Sequence, residues 1–438
     1  MNQITEENKT RAGNYFVANY PPFSYWSPDE VGAYRAALAH PPDPKNPLGL
    51  YVHIPFCRKR CHFCYFRVYT GAKSQEIRNY VDAALEELRL YQDMPVLRER
   101  KVDFVYVGGG TPSYLSTSQL KTLTDGLRRI LPWDHAREIA FECEPGTLNE
   151  KKLQFIRDLG VTRLSLGVEN FNEHVLAVNG RAHRVEEIDR SYAYARKAGF
   201  PQINIDLIAG MMDETDENWT ACINRAIELD PDSITIYQME IPYNTTIYQQ
   251  MKESGRFVAP VADWETKRGW VDEAFARLEG AGYEIGSAYT LVKRGRQVDF
   301  LYRDLLWRGA DLLSLGVASF GHMNGTHYQN EHDMDQYLTR VRSSDLPVHR
   351  AMAPSHEERM IREFVLQFKL GHLDVSYFFK KFGVQVCDRF AEPLQRLTAD
   401  GYIQAGSDVL QLTRRGLLEV DRLLYEFFLP QHRGTRYT

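Results

Sequence analysis

The sequence predicts an α/β fold: an incomplete (β/α)6-type barrel with added late strands, followed by a small winged-helix-like domain. Three observations carry the prediction. From Leu50 onward, short β-branched runs alternate with amphipathic helical stretches, the pattern of parallel βαβ units. Six of these strand candidates each run into a polar or glycine-rich segment. After about Met352 the alternation stops, and helices with one short strand pair take over.

Residues 1–48 are rich in Pro, Tyr and Asn and read as an irregular arm with one short helix around Asp29 to Ala39. Residues 49–350 hold the barrel and its extension. The strand candidates are Leu50–Ile54, Asp103–Val107, Glu138–Cys143, Arg163–Val168, Gln202–Ile208 and Ser233–Met239. Helices are expected over Ile77–Gln92, Ser118–Ile130, Leu148–Leu159 and Glu186–Ala198. Further strands are expected near Tyr283–Leu291 and Leu313–Phe320. Residues 351–438 form the winged-helix-like domain, with helices Glu357–Phe368, Ser376–Phe382 and Val386–Ala399. Its wing pairs Tyr402–Gln404 with Leu410–Leu412, and a helix over Thr413–Phe428 closes the chain. The candidate recognition segment carries as many acids as bases, so packing against the barrel is expected, not DNA binding.

Composition narrows the function classes. A net charge of −5 over 438 residues argues against a nucleic-acid-binding surface. No apolar run approaches about 18 residues and no signal pattern opens the chain, so a cytoplasmic protein with no membrane partner is expected. A monomer is also expected. Six cysteines in so long a chain make no disulfide framework. Cys143, Cys222 and Cys387 are scattered and read as buried small hydrophobes.

Cys57, Cys61 and Cys64 are different. They follow the first strand directly in Tyr51-Val52-His53-Ile54-Pro55-Phe56-Cys57, with C-x3-C-x2-C spacing and Phe63 before the last cysteine. Three thiolates can hold three irons of a [4Fe–4S] cube and leave the fourth open to a small molecule. A zinc knuckle would want a fourth Cys or His at a matching spacing, and His62 lies on no such pattern. Three reduced core cysteines are the remaining plain reading.

In β/α barrels the chemistry sits at the carboxyl ends of the strands. Strand two ends in Gly108-Gly109-Gly110-Thr111-Pro112, where glycines let backbone approach a ligand closely. Strand three ends at Glu142, and strand four at Glu169-Asn170 with Arg181 beyond. Strand five places Asp206 inside the apolar run Ile203–Ile208, where a carboxylate needs a partner such as a ribose hydroxyl. Strand six contributes Tyr237-Gln238-Met239-Glu240.

Together these motifs, with Leu166–Phe171, Asn204–Ile208 and Leu315–Phe320, resemble one branch of the radical SAM enzymes. That branch is named for oxygen-independent coproporphyrinogen III oxidase and also holds heme chaperones and class C methyltransferases. The resemblance covers nearly the whole chain. It implies a radical SAM barrel, a [4Fe–4S] cluster on Cys57, Cys61 and Cys64, and S-adenosylmethionine on the open iron. Reductive cleavage of that molecule, fed by flavodoxin or ferredoxin, yields methionine and a 5′-deoxyadenosyl radical. The branch implies two S-adenosylmethionine molecules, the first meeting Tyr51, Gly109, Glu142 and Phe320. The second would meet Phe63, Gly110, Thr111, Glu169, Arg181, Asp206 and Met239.

Two departures shape the expected activity. The family oxidase carries Gly-Cys after the third cluster cysteine, where this chain has Tyr65-Phe66. Where Gln is usual, Glu169 stands, and a carboxylate favours a cationic partner. Class C methylation or cyclopropanation of an sp2 carbon in an aromatic or conjugated substrate is therefore the expected activity. Coproporphyrinogen decarboxylation, or heme binding as a chaperone through His322 or His327, is the alternative. A basic, aromatic stretch (Tyr289, Arg294, Arg296, Tyr302, Arg303, Trp307, Arg308) is a candidate grip for an aromatic or tetrapyrrole-like substrate; a solvated surface loop is its competitor. A winged-helix redox regulator is a third possibility.

Overall fold

The computed structural model describes residues 9–13, 15–255, 260–406 and 409–434. Its main element is a twelve-stranded sheet. Strands β1 (Leu48–Ile54), β2 (Val102–Gly109), β3 (Glu138–Cys143), β4 (Arg163–Glu169), β5 (Gln202–Ala209) and β6 (Ser233–Gln238) are neighbours in that order and run parallel. Helices connect them, among them Ser74–Gln92, Thr117–Ile130, Glu150–Asp158 and Val185–Ala198. Each begins where a polar residue precedes an amphipathic run. Ser116, for example, accepts from the Gln119 N–H while Gln119 reaches back to the Ser116 N–H.

The sheet grows at both edges. Beyond β6 lies the antiparallel pair β7 (Tyr283–Ile285) and β8 (Thr290–Lys293). Beside β1 lies β9 (Asp311–Leu315), parallel to it with Leu50 opposite Leu313. Then come β10 (Phe320–Met323), β11 (Thr326–Asn330) and β12 (Val348–Met352), all antiparallel. The six-unit barrel with late strands is therefore present, and it stays open.

Each of the two late runs expected as one strand is two. Leu313–Phe320 breaks because Gly316 has φ +101° and Ala318 φ +60°. A side chain at Gly316 would place Cβ 2.2 Å from the Tyr80 hydroxyl, so the loop must turn there on glycine. Tyr283–Leu291 turns at Gly286–Tyr289, where the Gly286 N–H donates to the Thr290 carbonyl at 2.8 Å.

After β12 come helix His356–Phe368, helix Val375–Phe382 and a small sheet ordered β13 (His372–Asp374), β15 (Val409–Leu412), β14 (Ile403–Ala405). The single helix expected over Val386–Ala399 is broken at Phe390 into Val386–Arg389 and Ala391–Ala399. Pro393 explains the break, since its ring would clash with the Arg389 carbonyl of a continuous helix. Thr413–Phe428 likewise splits at Glu419 (φ −115°) into Arg414–Leu418, Val420–Leu424 and a final turn of 3-10 helix.

This C-terminal unit packs on the barrel as expected. Arg414 donates to Asp272 at 2.6 Å and Glu279 at 3.1 Å, and Gln238 donates to the Leu418 carbonyl. The arm joins them through buried Lys369, whose Nζ donates to the Val17 carbonyl (2.7 Å) and pairs with Asp421 (2.9 Å). Among the arm's described residues the one α-helix is Val31–Leu38; residues 1–8 and 14 lie outside them. Among the described residues no helix is long and apolar enough to cross a membrane.

Candidate active site at the carboxyl ends of the strands

The cysteine loop leaves β1 and is pinned on every side. The Gly110 N–H donates to the Ile54 carbonyl (2.8 Å) and the Thr111 N–H to the Phe56 carbonyl (2.9 Å). These bonds press the glycine turn against the loop, so a Cβ at Gly110 would lie 3.0 Å from the Cys57 sulfur and 2.9 Å from the Ile54 oxygen. Thr111 Oγ1 donates to Cys57 Sγ at 3.3 Å, and Arg181 Nη1 to Cys61 Sγ at 3.2 Å. His62 points away, its Nδ1 3.0 Å from the Val178 carbonyl, and braces the loop. Arg60 clamps the Cys64 and Asn244 carbonyls. Burial pushes the Cys57 thiol up to about 11 and that of Cys64 up to about 12.

Three carboxyls converge from β3, β4 and β5. Glu142 accepts from the Tyr106 hydroxyl (2.6 Å) and the Gly109 N–H (2.9 Å), yet burial still pushes its carboxyl up to about 7. Glu169 reaches the site through an irregularity in the β4–β5 register, with φ +65° and its carboxylate 3.4 Å from Arg181. Burial raises it to about 7 as well, against the pull of that guanidinium. Asp206 accepts from Ser165 (2.9 Å) and Asn204 (2.9 Å) and is raised by burial. Nearby acids add to the burial effect, so a cation arriving among them would favour their charged forms.

These groups line a chamber of about 980 Å³. Sites for one drug-sized ligand run roughly 300–1,000 Å³, so this chamber lies at the upper end of that range. Another part of its lining is basic and aromatic. Arg303 stacks on Phe300 (4.8 Å) and Trp307 (5.5 Å); its Nε bonds Asp304, while its buried Nη1 has no hydrogen-bond partner. Arg268, Arg362 and Arg422 line the same space, with Tyr302, Tyr289 and Trp264. Arg268 and Arg422 flank Glu419 at 3.6 and 2.7 Å.

Two stretches of the sequence match family profiles: the radical SAM superfamily over residues 51–226 and the HemN C-terminal domain over residues 355–418. Residues 51–226 thus carry a radical SAM domain, with a HemN C-terminal domain behind it. The chain's relatives lie in the branch of oxygen-independent coproporphyrinogen III oxidase. It is 28% identical over 416 residues to that oxidase of Salmonella typhimurium, covering 91% of this chain and 89% of the relative. It is also 28% identical over 370 residues to heme chaperone HemW of Bacillus subtilis, covering 84% of this chain and 96% of the relative. The solved coproporphyrinogen III oxidase of Escherichia coli superposes with a TM-score of 0.82 at 26% identity, covering 96% of this chain and 99% of that one. These names favour the oxidase or chaperone alternative over the expected class C methyl transfer.

A radical SAM enzyme requires a [4Fe–4S] cluster and S-adenosylmethionine, and the cysteine loop fits a cluster better than one ion. A single zinc at about 2.3 Å from each sulfur needs thiolates roughly 3.8 Å apart. Among the described residues, the one trio of His, Cys, Asp or Glu with ligand atoms within 4.8 Å is Glu331, His332 and His349. Cys57, Cys61 and Cys64 do not form such a close trio, and three thiolates can hold three irons of a cube.

Of the residues expected from the sequence, Cys57, Cys61, Phe63, Cys64, Gly109, Gly110, Thr111, Glu142, Glu169, Arg181, Asp206 and Met239 all line the chamber. Tyr51 and Phe320 do not. The Tyr51 hydroxyl lies 3.0 Å from His53 Nδ1 behind the wall, and the Phe320 ring packs on Phe23 (4.5 Å) and Trp26 (5.6 Å). The basic stretch divides. Tyr289, Tyr302, Arg303 and Trp307 face the chamber. Arg296 is committed to Asp230 and Asp232, Arg294 lies 4.0 Å from Glu284, and Arg308 is exposed outside the lining. His322 and His327, the candidate heme ligands, lie on β10 and β11 and are buried, 3.0 Å apart through their Nδ1 atoms, with His327 stacked on Trp26. Glu240, named from strand six, also lines the chamber, whereas sequence reasoning missed Tyr106 and Arg163, which line it too. Arg163, Ser165 and Gly167 alternate along β4, so the strand's period of two is the signal that marks Arg163 as facing the chamber.

Proposed function

We propose that this enzyme takes a hydrogen atom from a flat, carboxylate-bearing substrate of the tetrapyrrole class, with oxidative loss of carbon dioxide from a propionate side chain. The observation that carries the reading is the basic, aromatic wall, above all Arg303, held flat by Phe300 and Trp307 with one buried donor still unmet. A guanidinium so placed suits a carboxylate, and the rings beside it suit a planar face. The names of the relatives that span the chain support the same substrate class.

When bound, the cluster and S-adenosylmethionine supply an adenosyl radical after one-electron reduction. The chain's own groups divide the remaining tasks. Cys57, Cys61 and Cys64 hold iron, with Thr111 and Arg181 donating to two of the sulfurs. Glu142, Glu169 and Asp206 offer carboxylates to the ammonium and ribose of a bound S-adenosylmethionine, and the Gly109–Gly110 turn lets its backbone approach. Arg303 and its neighbours fix the substrate's acid groups. Once carbon dioxide has left, one electron must pass to an external acceptor for the new double bond to form.

Methyl or methylene transfer with a second S-adenosylmethionine is the second reading. It is favoured by Tyr65 and Phe66, whose rings pack 4.6 Å apart at the chamber where the oxidase pattern has Gly-Cys. Anaerobically reconstituted protein given dithionite, S-adenosylmethionine and coproporphyrinogen III separates the two by mass spectrometry. 5′-Deoxyadenosine with a product lighter by carbon dioxide and two hydrogens supports oxidative decarboxylation, whereas S-adenosylhomocysteine with a heavier product supports methyl transfer. Heme uptake with a Soret shift and no 5′-deoxyadenosine would replace both with a chaperone.

A further inference from the structure

We propose that Glu331, His332 and His349 form a second metal site, separate from the cysteine loop, for a divalent first-row transition ion of the zinc type. Their ligand atoms lie within 4.8 Å of one another. Two imidazoles and one carboxylate are a borderline-soft donor set that suits zinc; magnesium and calcium prefer oxygen alone.

The carboxylate is built in, not left loose. Glu331 follows β11 directly, and its side chain is 3% exposed. Its N–H donates to the Pro347 carbonyl and its carbonyl accepts from the Ala318 N–H, both at 2.7 Å. Arg340 Nε holds Oε1 at 2.9 Å, the outer contact that orients a ligating carboxylate. That leaves Oε2 buried and without a hydrogen bond, while His349 Nδ1 stands 3.4 Å away. The His332 and His349 rings are 5.0 Å apart at 67°, and His332 is exposed, so an ion can enter from solvent. An ion pair with Arg340 alone would not explain the second oxygen, buried and turned toward two imidazoles. An ion here would clamp the end of β11 to β12, one hydrogen bond from the Gly316–Ser319 loop.

The test is anaerobic titration calorimetry with zinc chloride on cluster-loaded protein, whose cluster cysteines are already occupied. The proposal expects one zinc per chain that is weakened at least tenfold in His332→Ala and in His349→Ala. Glu331→Gln should weaken it as well, but this variant also disturbs the Arg340 pair, so the two histidine variants decide. No zinc uptake by the wild type, or uptake unchanged in both histidine variants, would overturn the proposal. So would tighter binding of magnesium than of zinc.

Discussion

The two walls of the chamber are built in opposite ways. One comes from the carboxyl ends of β1 to β5, taken in chain order, and presents thiols, glycine backbone and three carboxyls. The other is assembled from the arm, the Phe300–Trp307 segment, helix His356–Phe368 and the Leu418–Arg422 turns, and presents arginines and aromatic rings. The contrast shows a division of labour. The first wall serves the chemistry that the superfamily shares, and each of its parts rests on a strand end. The second shapes the space for the molecule acted upon, and it exists only once distant segments have packed.

Substitutions can break that contrast, and the largest effect belongs to the strand-end wall. Alanine at Cys57, Cys61 or Cys64 should reduce 5′-deoxyadenosine formation to background and lower bound iron, as read by product and iron analysis. Gly110→Ala comes next. Its Cβ would meet the Cys57 sulfur and the Ile54 carbonyl, a crowding of about 1–3 kcal/mol that should also deplete the cluster. Arg303→Ala tests the other wall. It should raise the KM for a carboxylated substrate about tenfold, the scale of one charged hydrogen bond, while leaving substrate-free 5′-deoxyadenosine formation intact. Equal damage to both readouts would erase the distinction between the walls.

The smallest effect is one of pH. Burial raises the Glu142 and Glu169 carboxyls from 4.5 to about 7, so the folded protein keeps protons that the unfolded chain has already released. Stability without S-adenosylmethionine should therefore fall as pH rises from about 4.5 to about 7 and level off above that. Glu142→Gln should flatten the fall, as measured by denaturation midpoints across that range.

The same contrast explains what the sequence revealed. β3 is placed residue for residue at Glu138–Cys143, because a short run with apolar Ile139, Ala140 and Phe141 between turn signals is a local property. The cysteine loop and Glu142, Glu169 and Asp206 were legible for the same reason. Arg362 and Arg422 were not, since nothing near them in the chain marks the chamber they face. Arg296 lies in the very stretch expected to hold substrate, yet Asp230 and Asp232 claim it, a pairing that periodicity cannot show. The split helices failed differently: Pro393 was a visible breaker, outweighed by the apolar pattern around it.

The central claim is that the strand-end wall cleaves S-adenosylmethionine on behalf of a substrate held by the basic, aromatic wall. Its most direct test is 5′-deoxyadenosine formation by anaerobically reconstituted, dithionite-reduced protein, with and without coproporphyrinogen III. The account predicts 5′-deoxyadenosine in both cases, faster with the tetrapyrrole. No 5′-deoxyadenosine from protein with an intact cluster would contradict it.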